Sequence, residues 1–143
     1  MVDVDIITKK LGELSQRVKR IRAYRRESAE ELAADQDAME LVSFNLLLAV
    51  QACLDLASHL IADEEWEPAA SLGDSFFRLQ QYGVLSPETA FAMKDAAAMR
   101  NLIAHGYSKV DPEKVFEAAV NGTADLERFG RELGAWTSRR LAG

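Results

Sequence analysis

The sequence predicts an all-α fold, an up-and-down bundle of four to five helices, and three observations carry that prediction. Only three prolines and eight glycines occur in 143 residues. Apolar residues recur at helical spacing through almost the whole chain. No Asn-Gly pair sits between alternating segments that would pair as a hairpin. With 48% hydrophobic residues, a chain of this length buries one core without disulfides or metals, so a single domain over 1–143 is expected.

In the first segment Ile7, Leu11, Leu14, Val18 and Ile21 recur at steps of four, three, four and three, which draws one apolar stripe down a helix from about Val4 to Arg26. Ser28 with Glu31 three residues on reads as a capping box that opens a second helix. Its apolar positions, from Leu32 through Met39, Val42, Leu46, Val50, Cys53 and Ala57, keep period to Ile61, with a break near Asp35 where acidic residues gather. Pro68 marks the stop between Glu64 and Ser71. A shorter helix over Asp74 to Tyr82 ends at Gly83, and Ser86-Pro87-Glu88 is a cap residue followed by proline at the first helical position. That helix runs to about His105, closed by Gly106. Asp111-Pro112-Glu113 repeats the start signal, and Val115, Phe116, Ala119, Leu126, Phe129, Leu133 and Trp136 form a last segment or pair, with a kink or break at Asn121-Gly122.

A lone Cys53 in an apolar run allows no intrachain disulfide and reads as a small buried hydrophobe. No signal-peptide pattern and no uninterrupted apolar run of membrane-spanning length is evident, so a cytoplasmic protein is expected. The net charge of -6 argues against a generic nucleic-acid binder, whose affinity comes from neutralising phosphates. The charge is unevenly spread, however. Arg17, Lys19, Arg20, Arg22, Arg25 and Arg26 crowd one stretch, and acidic residues dominate from Glu27 to Glu40. The plain reading of such a run is a solvated helix face.

Two histidines stand in different contexts. His59 follows Asp55 by four residues in an apolar helix, where the two side chains can share a hydrogen bond in a structural role. No metal site and no cofactor are expected, because no further His or Cys stands at ligand spacing. His105 lies at a helix end before Gly106, with Asn101 one turn upstream on the same face and Arg100 turned aside by roughly 140°. An imidazole, a guanidinium that clamps phosphate and an orienting amide suit a metal-independent phosphodiester transfer. One histidine supplies half of the acid/base work, and a symmetric dimer bringing two copies of Arg100 and His105 to one cleft supplies the rest. The same residues also fit a purely structural assignment, in which Arg100 caps or pairs and His105 bonds the last carbonyls of its helix.

The segment Arg100-Asn101-Leu102-Ile103-Ala104-His105-Gly106-Tyr107 resembles the R-N-x-x-x-H-x-Y signature of the HEPN superfamily, specifically the HepT-like toxins paired with minimal nucleotidyltransferase antitoxins. Tyr24-Arg25-Arg26, the acidic segment with Asp35, the stretch Leu46 to His59 and Tyr82-Gly83-Val84-Leu85 are similar to that family in order and spacing, so the likeness covers nearly the full length. The resemblance implies a homodimeric helical bundle and an endoribonuclease toxin of a type VII-like toxin-antitoxin pair. It implies an RNA-cleaving site using Arg100 and His105, supported by Asn101, and Tyr107 as the residue to which the nucleotidyltransferase attaches AMP from ATP. From another class comes the alternative of a catalytically idle helical dimer that binds such a nucleotidyltransferase.

Overall fold

The computed structural model describes residues 3–106 and 110–143, and among these there is no strand. Helix α1 spans Val4–Tyr24, α2 Ala29–Ala34, α3 Gln36–Asp63, α4 Ser75–Gln81, α5 Pro87–His105, α6 Pro112–Glu117 and α7 Thr123–Ala142. A π-helical turn, Ala118–Gly122, joins α6 to α7 into one continuous rod. With α2 and α3 taken as the one interrupted segment of the sequence, and α6 and α7 as one rod, the described residues form five segments, within the expected four to five.

Helix α3 is the axis of the core and touches every other helix. It is long and apolar enough, by length and composition, to cross a membrane, but 61% of its apolar window is buried inside the fold. Val42, Ala49, Ala57 and Leu60 on α3 are fully enclosed, as are Ile21 of α1, Phe76 of α4, Met93 of α5 and Phe129 of α7. Phe76 and Phe129 meet edge to face, their centroids 5.6 Å apart, the arrangement that aromatic quadrupoles favour. Cys53 is buried in the same core, where loss of solvation pushes its thiol well up from the usual value.

The helix ends follow the local chemistry. Asp3 caps α1, accepting from Asp5 N at 3.1 Å and Ile6 N at 3.2 Å. Ser28 caps α2 by accepting from Glu31 N, and the Glu31 carboxylate returns to Glu27 N. The break near Asp35 is real. Asp35 ends α2 and caps α3, accepting from Ala38 N at 3.1 Å and from Arg26 Nε and Nη2 at 3.0 and 2.9 Å. To make that pair, Arg26 leaves the helix with φ 67°, so α1 stops at Tyr24, short of the expected Arg26. Gly83 follows α4 with φ 78°, a left-handed conformation that glycine adopts without steric cost. The kink or break expected at Asn121-Gly122 is a π turn instead. Thr123 Oγ1 bonds back to Ala119 O at 3.0 Å and Val120 O at 3.2 Å, so the widened turn carries the rod through.

The Asp55–His59 pairing expected from the sequence does not form. Asp55 is held across the helix interface by Lys10 at 3.3 Å and on its own helix by Gln51 at 2.9 Å. His59 turns one turn the other way, with Nε2 3.1 Å from Asp63 Oδ2. Two carboxylates stand four residues from His59, and the tertiary lysine takes one of them.

Two measurements test this packing. Phe129→Ala should lower unfolding stability by roughly 3–5 kcal/mol in urea melts, whereas Phe91→Ala on the surface should change it by less than about 0.5 kcal/mol. The Ala38 backbone amide first, and Arg26 second, hold the Asp35 carboxyl below its usual range. Its contribution is therefore present at neutral pH and lost as pH falls through the depressed value. The melting-temperature gap between the wild-type chain and Asp35→Asn should narrow on acidification, and a gap that stays constant would contradict the assignment.

Candidate active site at the end of α5

Helix α5 carries Arg100, Asn101 and His105, and its position is fixed at its start. Ser86 Oγ caps it by accepting from Thr89 N at 3.2 Å, with Pro87 in the first turn. The Glu132 carboxylate of α7 accepts from Ser86 N at 2.7 Å, Ser86 Oγ at 3.1 Å and Thr89 Oγ1 at 2.9 Å. Arg128 Nε donates to Thr89 Oγ1 at 2.8 Å, and its Nη2 to Asp125 at 3.2 Å. Thr89 is fully buried, so this knot of hydrogen bonds locks α5 to α7 inside the fold.

At the other end Gly106 caps α5, its N donating to Leu102 O at 2.8 Å. The reason for glycine is close approach rather than a left-handed backbone. The φ is -122°, and a Cβ here would lie 3.1 Å from that same carbonyl oxygen. Gly106 thus takes one of the last carbonyls that the structural assignment gave to His105. The His105 side chain is exposed and makes no hydrogen bond or ion pair with any described residue.

Arg100 is half-buried one and a half turns upstream, about 7.5 Å along the axis. Its Nη1 donates to Asn101 Oδ1 at 2.9 Å, its Nε is buried without a hydrogen-bond partner, and it forms no salt bridge with a described residue. The expected grouping therefore holds for Arg100 with Asn101. His105 stands apart, making no bond to the pair. Tyr107, expected as a modification site, lies outside the described residues.

Sequence reasoning missed the walls of the site. Arg100 borders a groove of about 660 Å³, lined on α5 by Met99, Leu102 and Ile103 and on α3 by Leu46 and Val50. Its far wall comes from the α6–α7 rod, with Lys114, Glu117, Gly122 and Asp125. Burial holds the Asp125 carboxyl above its ordinary range; Arg128 opposes that shift, and Glu117 and Asp95 add to it. The signal in the sequence was Asn121-Gly122, read as a break although it marks the π turn that shapes this wall.

Residues 14–133 match the model of the ribonuclease HepT-like family. The chain belongs to that family. Among the relatives of this HepT-like chain is the mRNA nuclease HepT of Shewanella oneidensis, 25% identical over 125 residues, covering 87% of this chain and 93% of the relative. The tRNA nuclease HepT of Aphanizomenon flos-aquae is 26% identical over 98 residues, covering 68% and 67%. The fold is similar to that of a tri-AMPylated Shewanella oneidensis HEPN toxin in complex with an MNT antitoxin, with a TM-score of 0.85 at 24% identity over 93% of this chain and 99% of that one. A cytosolic Bacillus subtilis protein, YutE, has the same fold, with a TM-score of 0.86 at 15% identity over 99% and 95% of the two chains.

The buried Thr89 hydroxyl offers a direct test of how the site is positioned. Thr89→Val should cost about 1–3 kcal/mol, because Arg128 Nε and Glu132 lose their shared partner, and Thr89→Ser should recover most of it. Equal stability of all three chains in denaturant titrations would rule out the anchor.

Proposed function

We propose that this HepT-like chain is a metal-independent endoribonuclease toxin, active as a symmetric homodimer in the cytosol. The observation that carries the reading is an unneutralised guanidinium, Arg100, bordering an open groove on the same helix end that carries an exposed imidazole, His105. A ribose 2′-hydroxyl attacks the adjacent phosphorus while a His105 imidazole takes its proton. Arg100 stabilises charge on the non-bridging oxygens. The bond from phosphorus to the 5′-oxygen breaks, and that oxygen takes a proton from the second copy's imidazolium. The products are a 2′,3′-cyclic phosphate and a 5′-hydroxyl. Asn101, holding the Arg100 Nη1 edge, orients the guanidinium and leaves its other edge for phosphate.

The names of the mRNA and tRNA nuclease relatives support RNA as the substrate. The structural neighbour described as a tri-AMPylated toxin in complex with an MNT antitoxin supports a nucleotidyltransferase partner. On this reading the partner joins AMP from ATP to the Tyr107 hydroxyl, releasing pyrophosphate, and the added anion competes with RNA for Arg100. The resemblance of the R-N-x-x-x-H-x-Y segment is what points to Tyr107.

Purified chain incubated with labelled RNA in chelator should give cyclic phosphate ends. Arg100→Ala and His105→Ala should each lower the rate at least a hundredfold while leaving helical circular dichroism unchanged. Activity that disappears in chelator and returns with Mg²⁺ would overturn the metal-independent chemistry. With the nucleotidyltransferase and ATP, the chain should gain the mass of AMP on Tyr107, and Tyr107→Phe should block that gain. Modification at Tyr24 or Tyr82 instead would exclude Tyr107 as the switch.

A further inference from the structure

The basic run of α1 divides into two sets. Arg22 is locked to Glu127 by two bonds of 2.9 and 2.7 Å, Arg26 is locked to Asp35, and Arg25 reaches the Ala119 carbonyl at 3.4 Å. Arg17, Lys19 and Arg20 have no carboxylate partner among the described residues. With Gln16, Ala23 and Tyr24 they line one shallow depression of about 580 Å³ that contains no acidic side chain. In a chain of net charge -6, a depression lined by three unpaired cations is a local field of opposite sign to the whole.

The same face offers a ring. The Arg20 guanidinium lies 5.2 Å from the Tyr24 ring centroid and the Arg26 guanidinium 5.9 Å from it. A half-buried aromatic flanked by cations is the combination that single-stranded nucleic acid uses, with phosphates on the cations and a base against a ring or guanidinium plane.

The depression and the α5 site are joined through α3. Arg17 Nη1 donates to Asn45 Oδ1 at 3.2 Å, and the buried Asn45 is held by its own bond to Leu41 O at 2.8 Å. The next residue, Leu46, lines the groove beside Arg100. Arg17 of the α1 patch and the α5 groove thus meet neighbouring residues of one helix, Asn45 and Leu46. The residue before them on α3, Phe44, is 57% exposed.

We infer that Arg17, Lys19, Arg20 and Tyr24 form an RNA-tracking surface that holds the strand on one side of α3 while its scissile phosphate lies at Arg100 on the other. This rests on the RNA-cleavage reading above. Lys19 and Arg20 meet phosphates as mobile exposed cations, and Arg17, fixed by Asn45, sets the register.

The test uses the full-length chain carrying His105→Ala, so that binding is read without cleavage, and a labelled single-stranded RNA oligonucleotide. Lys19→Gln/Arg20→Gln, both exposed side chains, should weaken binding about tenfold or more at low salt. It should also make the slope of log affinity against log salt shallower by about 1.4, or 0.7 for each phosphate no longer neutralised. Lys94→Gln/Arg139→Gln removes the same charge from α5 and from the end of α7 and should change neither by more than twofold. In the cleaving chain the α1 double variant should raise KM and leave kcat within about twofold. Unchanged binding in the α1 variant, an equal loss in the control pair, or loss of nucleotidyltransferase binding with RNA affinity intact would each overturn the inference. Binding that follows the α1 cations in a chain that cleaves no RNA would instead count against the catalytic reading alone.

Discussion

Where Arg100 and His105 stand is decided at the other end of α5, at the knot of Ser86, Thr89, Glu132 and Arg128. A helix is a stiff rod rising about 1.5 Å per residue, so pinning its first turn to α7 sets the height and rotation of its last. Glu132 takes three donors and Thr89 Oγ1 both gives and receives, all around a fully buried residue. Such a network is specific because a partly made version leaves buried polar atoms without partners. Among the described residues the opposite end of α5 has no such ties, and that is where the proposed chemistry sits.

Charge is distributed by the same logic of pairing and non-pairing. Among the described residues six cations of this acidic chain are tied up in ion pairs: Lys10 by Glu13 and Asp55, Arg22 by Glu127, Arg26 by Asp35, Lys94 by Asp74, Arg128 by Asp125 and Arg140 by Glu64. Exposed pairs of this kind add little to stability, but they remove the charge from the outward field. Arg100, Arg17, Lys19 and Arg20 are among the cations that escape pairing; Arg17 bonds Asn45 of α3, and Arg100 shares its groove with Leu46 and Val50 of the same helix. Net charge alone would exclude a polyanion substrate, whereas the positions of the unpaired cations provide a place for one.

Local features were the legible part of the sequence. The Ser28, Ser86 and Asp111 caps, the Gly83 and Gly106 stops and the apolar stripe of α1 depend on residues within a turn or two of one another, and the structure reproduces them. Features that needed a distant partner were not legible. Asp55 is four residues from His59, but Lys10 of α1 holds it. Arg26 leaves its helix because Asp35 waits nine residues on. The far wall of the groove, Lys114, Glu117 and Asp125, belongs to a rod whose π turn looks like a break when read as sequence. Arg100, Asn101 and His105 were visible through the resemblance of their motif. That Arg100 stands unpaired and His105 exposed was visible only in three dimensions.

The central claim is that the exposed imidazole of His105 moves a proton while Arg100 supplies the fixed charge. Chemical rescue tests it most directly. Added imidazole should restore RNA cleavage to the His105→Ala dimer, which lacks both the base and the acid, with a rate that depends on neutral imidazole and imidazolium together, and should do nothing for Arg100→Ala. Undiminished cleavage by His105→Ala without imidazole, or equal rescue of both variants, would contradict it.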